Sequence, residues 1–376
     1  MTVLARLPVL FGVETRYVLW HYLKRIILVA GAILAVVIAI DLATNFERVM
    51  APSQDKTALT GVARLWFYAW LRVAYNLPAV LPLAAAIGIV LAEHYLAQGQ
   101  ERAAIFDTGR SRLWSLMPAL LCAMLVGGLQ QAAVAQLRPY AEAAQIDYGF
   151  RNAGAPMARQ LVRVHWRLEG QAIVMASFDP GADATLLRDV IVFGLDDHNR
   201  VATVWVAPSA KVGADLLTFD LPPNAIGLAP KALPPLQVNA AWLSAFGIAP
   251  RMLTTSALQA IVDSRAPTPD LPAYQAAFAA RQVAWAEPLA LCLMAATLSL
   301  VLMRPRQGLI APLVVVAAVY AESVLAGIIA ILAEFGVLPA AAASRGPPFL
   351  LVLLCLGGLA LAEWRINRQL ASVLPR

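Results

Sequence analysis

The sequence predicts an α-helical membrane protein in which six transmembrane helices, three and three, flank an inserted all-β domain. Three observations carry this expectation. Of 376 residues, 60% are hydrophobic and only 14% charged, with a mean hydropathy of +0.68; a soluble domain carries about 25% charge. Six apolar segments approach the roughly 20 residues that a helix needs to cross a hydrocarbon core. Between the third and fourth lie about 130 polar residues with period-two alternation, the pattern of half-buried strands.

The first span is expected from Ile26 to Ala43, about 27 Å at 1.5 Å per residue. A polar connection, Asn45 to Thr60, follows. The second apolar segment, Trp66 to Leu96, holds Pro78 and Pro82. They predict a bend whose freed carbonyls need partners from neighbouring helices or water. A charged stretch, Glu93 to Arg112, leads to a third span at Leu113–Leu137. Strands are expected at Leu161–Leu168, Ala172–Met175, Val190–Leu195, Val201–Val206 and Leu216–Phe219, with a hairpin around Asp196–Arg200. Their number and spacing fit a small sandwich, a jelly roll or an open barrel. A helical piece, Ser256 to Val262, and the breaker Ala266–Pro269 return the chain to spans at Val283–Met303, Leu309–Leu332 and Pro348–Trp364. The division is therefore an N-terminal membrane half (1–140), a β domain (141–275) and a C-terminal membrane half (276–376).

The net charge of +6 is not a nucleic-acid signature, because Arg and Lys gather at the ends of the apolar segments, where they set orientation. With the N-terminus inside, the cytoplasmic segments receive Arg16, Lys24, Arg25, Arg102, Arg110, Arg112, Arg304, Arg306, Arg365 and Arg368. The outer loops receive chiefly Arg48, Lys56 and Arg345. Both termini are expected in the cytoplasm and the β domain outside, which in a bacterium with two membranes is the periplasm. No cleavable signal peptide is expected, since the first apolar run continues into a full span. Cys122, Cys292 and Cys355 all fall in apolar segments, so neither a disulfide framework nor a metal site is expected in the polar domain.

There is no G-x-x-x-x-G-K-[ST] phosphate loop, no HExxH, no GxSxG and no CxxC. The four histidines, His21, His94, His165 and His198, are scattered over both sides of the membrane. No catalytic residue and no cofactor is expected, and any ATP hydrolysis must occur in separate subunits. Acids within apolar segments are functional candidates by default. Asp41 lies at the outer end of span one, Glu287 at the outer start of span four and Glu322 within span five. Headgroup contact, a polar cavity and a proton relay all remain open for them. The stretch Gln100–Arg112 reads as a short helix stopped by Gly109, either a docking element or a loop.

Several of these motifs coincide with one family. Arg16-Tyr17 precedes span one and Asp41-Leu42 ends it. Span two carries Leu77-Pro78-Ala79-Val80-Leu81-Pro82-Leu83-Ala84. Glu101 with Gly109-Arg110-Ser111 matches a signature E-L-x-x-M-R-A-A-G-x-S. Trp166 with Glu169-Gly170, Leu187 to Val192, and Glu287-Pro288-Leu289 complete the set. In this plan the chain resembles the lipopolysaccharide-export permeases, whose paired F-type and G-type subunits work together; Trp166 and the Glu-Gly pair lean toward the G-type.

The resemblance implies a jelly-roll-like periplasmic domain and an inner-membrane location. It also implies a second homologous permease, two cytoplasmic ATPase subunits, a periplasmic bridge protein and lipopolysaccharide as cargo. Residues 97–109 would be the coupling helix, with Glu101 for ionic contact, Ile105 and Phe106 for the ATPase groove, and Gly109 and Arg110 closing it. Asp41, Arg48, Glu287 and Glu322 would face lipid or the cavity, and Ile173 and Met175 the lipid path through the β domain. Two departures are visible. Phe106 occupies the signature's arginine position, and Asp41 and Glu47 put acids where relatives often carry bases for lipid phosphates.

Three other readings compete. A mechanotransmitting subunit would usually place its large domain after the first span. A membrane-embedded enzyme would need ionisable residues clustered at one face. A proton-coupled carrier would use Glu322 and Asp41.

Overall fold

The computed structural model describes residues 12–50, 61–107, 111, 114–150, 162–168, 172–179, 183–196, 198, 200–213, 216–220, 223–227, 236–246, 248–264, 266, 268–303 and 308–373. The chain divides into two compact units: Met1–Glu142 with Ala279–Ala333 and Val337–Arg376, and Ala143–Phe278 with Glu334–Gly336. The helices are α1 (Val13–Met50), α2 (Gly61–Gln98), α3 (Glu101–Asp107), α4 (Met117–Ala132) and α5 (Arg138–Asp147). After the strands come α6 (Ala240–Ser244), α7 (Thr255–Asp263), α8 (Leu271–Gln282), α9 (Ala286–Leu302), α10 (Ile310–Glu334) and α11 (Ala340–Val373). Among the described residues, five stretches are long and apolar enough to cross a membrane: Val13–Glu47, Gly61–Gln98, Trp114–Gln145, Ile310–Glu334 and Ala340–Leu361. Helices α8 and α9, bent by 58° at a short break, make a sixth if they count as one span.

Helix α1 runs to Met50, through the start of the expected polar connection. Its polar residues bond back to the helix rather than leaving it: Thr44 Oγ1 donates to the Asp41 carbonyl (2.9 Å) and Asn45 Nδ2 to the same oxygen (3.0 Å). Helix α11 begins before Pro347 and Pro348, not at them. The carbonyls these prolines free are those of residues 343 and 344, close to the helix start. In α2, Pro82 has no N–H for the Pro78 carbonyl four residues back. Gln130 of α4 supplies the donor, with Nε2 at 2.9 Å, as the sequence requires of a proline inside a span.

The membrane unit packs one stripe of each helix into a common core, with Tyr22, Ile89, Cys122, Leu291 and Val319 almost fully buried. Two glycines set the closest approaches. A Cβ at Gly88 of α2 would stand 2.6 Å from Ile26 Cγ1 and 2.8 Å from its Cα and N, so the backbones of α1 and α2 come together here. A Cβ at Gly127 of α4 would meet the Trp285 carbonyl oxygen at 2.8 Å. Small residues let spans approach in this way. The opposite faces, with Leu28, Leu313 and Leu353 more than 60% exposed, suit contact with lipid chains.

The second unit is built on one antiparallel sheet of β1 (Val162–Leu168), β2 (Ala172–Asp179), β3 (Asp183–Leu195), β4 (Val201–Gly213), β5 (Leu216–Phe219) and β6 (Asn224–Gly227). Strands β1 to β5 follow one another as a meander, and β6 pairs with the first half of β4. The hairpin expected around Asp196–Arg200 is present. The Asp196 carboxylate accepts from the His198 and Arg200 amides (2.9 and 2.8 Å), and its own amide donates to the Arg200 carbonyl. Alternate residues Val174, Val190, Val192, Trp205 and Val212 face a helical layer holding Trp242, Leu258 and Ile261. Gly194 makes room for the Trp205 ring, which a Cβ would approach to 2.7 Å. Helix α6 is capped by Asn239, which accepts from the Trp242 amide and also donates to the Ile261 carbonyl. The expected piece at Ser256–Val262 is α7, capped by Thr254. The described strands make one sheet; a second facing sheet is not among the described residues.

Candidate functional site

Helix α3 follows α2 after a turn at Gly99-Gln100, where Gln100 has a φ of 58°. Its second residue, Arg102, points back into the bundle and is buried with Glu93 of α2, the side chains being 8% and 2% exposed. The guanidinium pairs with both carboxylate oxygens, Nε lying 2.7 Å from Oε2, and donates to Tyr22 Oη of α1 at 2.9 Å. Tyr22 in turn donates to Glu93. Burial alone would lower the Arg102 pKa, but the Glu93 carboxylate and the Tyr22 hydroxyl together outweigh it and hold the value above the ordinary arginine range. The charge therefore persists at any pH the protein meets. Three further contacts surround this triad. Tyr17 Oη donates to Glu101 Oε2 at 3.0 Å, and Arg25 lies over the Tyr95 ring at 4.5 Å, with an Nη1 2.8 Å from His21 Nδ1.

A second tyrosine–acid–arginine triad joins the same two helices at their other end. Arg72 of α2 donates through Nε to Asp41 Oδ2 of α1 (2.7 Å) and to Tyr68 Oη (3.1 Å), and it pairs again with Oδ1. Tyr68 donates to the same carboxylate. Asp41, expected to face lipid or a cavity, is thus held by Arg72 with 19% of its side chain exposed. Along α1, Tyr22 and Asp41 are about 28 Å apart at 1.5 Å per residue; along α2, Arg72 and Glu93 are about 31 Å apart. These separations match the roughly 30 Å hydrocarbon core. Exposed aromatics stand at both levels: Tyr17, Trp20 and Tyr95 at the α3 end, Phe46, Trp66 and Trp70 at the other. Such belts mark membrane–water interfaces.

Near the second triad, Arg138 lies over the Tyr75 ring at 5.3 Å, and its Nε is buried without a hydrogen-bond partner among the described residues. It is within electrostatic reach of Arg281, whose carbonyl accepts from Gln131 Nε2 at 2.9 Å. Arg138 follows directly on a π-helical turn at Ala133–Leu137, a feature frequent at functional sites. Glu322 has a buried Oε2 with no hydrogen-bond partner among the described residues and lies within electrostatic reach of Glu287.

In the sheet, Ile173 and Met175 sit on the face opposite the helical layer. The register places them in two cross-strand rows, Ile173–Phe193–Val204 and Met175–Ile191–Val206. All six are half-buried or exposed, so this second face is apolar as well.

Other expected site residues are distributed unevenly. Glu101 engages Tyr17, while Ile105 packs toward the bundle core and lines a small cavity with Val18, Arg102 and Pro118. Phe106 is half-buried, and Ala103, Ala104 and Asp107 form the exposed side of α3. Gly109 and Arg110 lie outside the described residues, as do Glu169, Gly170 and the side chains of Arg48 and Trp166. Sequence reasoning missed Tyr22, Tyr68, Arg72, Glu93, Arg138 and Arg281. The available signal was an arginine or an acid standing inside or just beyond an apolar run. Among the described residues there is no cluster of metal-ligating side chains.

No curated protein sequence matches the chain. The pattern of the lipopolysaccharide export system permeases LptF/LptG matches residues 16–223, more than half of it, and spans both triads and most of the sheet. With several helices apolar enough to span a membrane and a separate β-sheet unit, the chain belongs to the LptF/LptG family of lipopolysaccharide export permeases, multi-pass proteins of the inner membrane.

Proposed function

We propose that this chain is the non-catalytic permease subunit of an ATP-driven transporter that extracts lipopolysaccharide from the inner membrane and passes it to a periplasmic bridge. The observation that carries this reading is α3. It is a short helix fastened to spans one and two, presenting an exposed side of Ala103, Ala104 and Asp107 beyond the membrane slab, in a chain with no nucleotide-binding motif of its own. A separate ATPase pair acts there, a second permease of the same plan completes the cavity, and both termini lie in the cytoplasm.

The cargo-facing side is supported by charge and by the sheet. At the end far from α3, Arg138 and Arg281 offer positive charge for lipid phosphates, and Asp41 does not oppose it because Arg72 neutralises its carboxylate. The rows through Ile173 and Met175 offer acyl chains an apolar surface, and a jelly-roll closure by the partner's domain would extend it by pairing strand edges. A proton-coupled carrier is disfavoured because Asp41, half of the acid pair it would need, is committed to Arg72.

Affinity purification in mild detergent followed by reconstitution tests the reading. The chain should co-purify with a second permease and an ATPase. Vesicles holding the complex should release lipopolysaccharide to an acceptor only with ATP, whether or not a proton gradient is present. Transport by the chain alone, or transport abolished by collapsing the gradient with ATP supplied, would refute it.

A further inference from the structure

Helix α3 is only seven residues long, and a helix so short is marginal by itself. A push on it would bend or unwind its junction with α2 at Gly99-Gln100 unless something stiffens the connection. The buried pairing of Arg102 with Glu93 and Tyr22 bypasses that turn. It fixes α3 to the body of α2 nine residues upstream and to α1 in the same contact. Beyond it, α1 and α2 are held to each other by the Gly88–Ile26 approach in the middle and by Asp41–Arg72–Tyr68 at the far end.

We propose that Arg102, Glu93 and Tyr22 are positioning residues that make α3 and spans one and two a single lever. Force applied to α3 is thereby delivered about 30 Å away, beside Arg138, instead of being lost in the turn. The inference rests on the ATP-driven reading above. It concerns residues that face the bundle, not the partner, so they act after docking and not in it. Tyr22 suits the role because its hydroxyl donates to the acid and accepts from the guanidinium at once, closing the triangle.

The test compares the reconstituted wild-type complex with Arg102→Met, Arg102→Lys and Tyr22→Phe complexes. Both the ATP hydrolysis rate and the lipopolysaccharide released per ATP are measured. Arg102→Met should leave ATPase association and hydrolysis in place while release per ATP falls about tenfold, within the usual range of coupling between sites. Arg102→Lys should fall in between, since one ammonium keeps the charge but not the bidentate fork. Unchanged release per ATP in Arg102→Met would overturn the proposal.

If Arg102→Met does not assemble, Tyr22→Phe, which keeps the ring and removes only the hydroxyl, decides: a fall in release per ATP supports the lever, and an unchanged ratio overturns it. Absence of ATP-driven release by the wild-type complex itself would instead refute the transporter reading, before any variant is compared.

Discussion

Gln130→Leu is the substitution whose consequence the structure defines most sharply. Gln130 Nε2 donates to the Pro78 carbonyl at 2.9 Å, the oxygen left open because Pro82 has no N–H. Removing the donor strands a buried carbonyl, a loss of roughly 1–3 kcal/mol in protein interiors. Hydrogen bonds between transmembrane helices average nearer 0.6 and reach about 1.7 kcal/mol. Gln130 Oε1 is itself buried without a partner among the described residues, so leucine also relieves one unsatisfied acceptor, and a net cost of about 1 kcal/mol follows. The decisive comparison adds Pro82→Ala. Alanine restores the amide that bonds Pro78 along the helix, so in that background Gln130→Leu should cost nothing or stabilise slightly. A four-member cycle of detergent unfolding curves measures the difference, with an expected coupling of about 1 kcal/mol. Equal costs of Gln130→Leu with and without the Pro82→Ala substitution would refute the assignment of this bond to the proline gap.

Gly88→Leu should destabilise the membrane unit by at least about 1–3 kcal/mol, the usual cost of overpacking, because the new side chain enters the Ile26 backbone; a lowered unfolding midpoint checks it. In the sheet the two faces should respond in opposite ways. Val174→Asp buries a charge against the helical layer and should prevent the second unit from folding, seen as protease sensitivity. Met175→Asp on the open face should leave it folded while blocking lipopolysaccharide passage, measured by crosslinking of lipid to the β unit. Phe106→Asp should weaken binding of the ATPase with membrane insertion intact, measured by co-purification; Glu101→Arg should do the same and also loosen the start of α3 by removing the Tyr17 bond.

What was legible in the sequence was whatever depends on local pattern. Length and apolarity set the spans, period-two alternation marked β1 and the start of β2, β-rich runs marked the halves of β3 (Asp183–Leu195) and β4 (Val201–Gly213) next to their turn, and Asp196 to Arg200 marked the hairpin. The prolines of span two announced a need for a donor from another helix, but not that Gln130 would meet it, since helix packing pairs residues 52 positions apart. The same limit hid both triads. Arg102 reads as one more basic residue obeying the orientation rule, and it stands where the resembled signature has leucine, a place that suggests packing and not charge. Only the turn at Gly99-Gln100, folding α3 back under Tyr22 and Glu93, reveals its partner. Asp41 reads as a lone acid for the same reason. The helix ends were misjudged where side chains satisfy the backbone locally, as Thr44 and Asn45 do in α1.

The two triads also bear on why an export permease should carry charge inside its bundle at all. An ion pair withdrawn from water contributes little net stability once desolvation is counted, so stability alone does not account for one at each end of α2. Geometry does better. Each triad takes its acid and arginine across a helix–helix or helix–turn junction, and each sits where the hydrocarbon gives way to the interface, the depth at which a charge is least costly. The acid comes from α2 at one end and from α1 at the other, so neither helix can slide by a turn, about 5.4 Å, without breaking contacts in both triads at once. Apolar packing between two greasy helices offers no such register, because sliding by one turn exchanges similar contacts. The triads therefore fix the axial alignment of spans one and two. That is the property a lever needs if a displacement at α3 is to reach Arg138 undiminished.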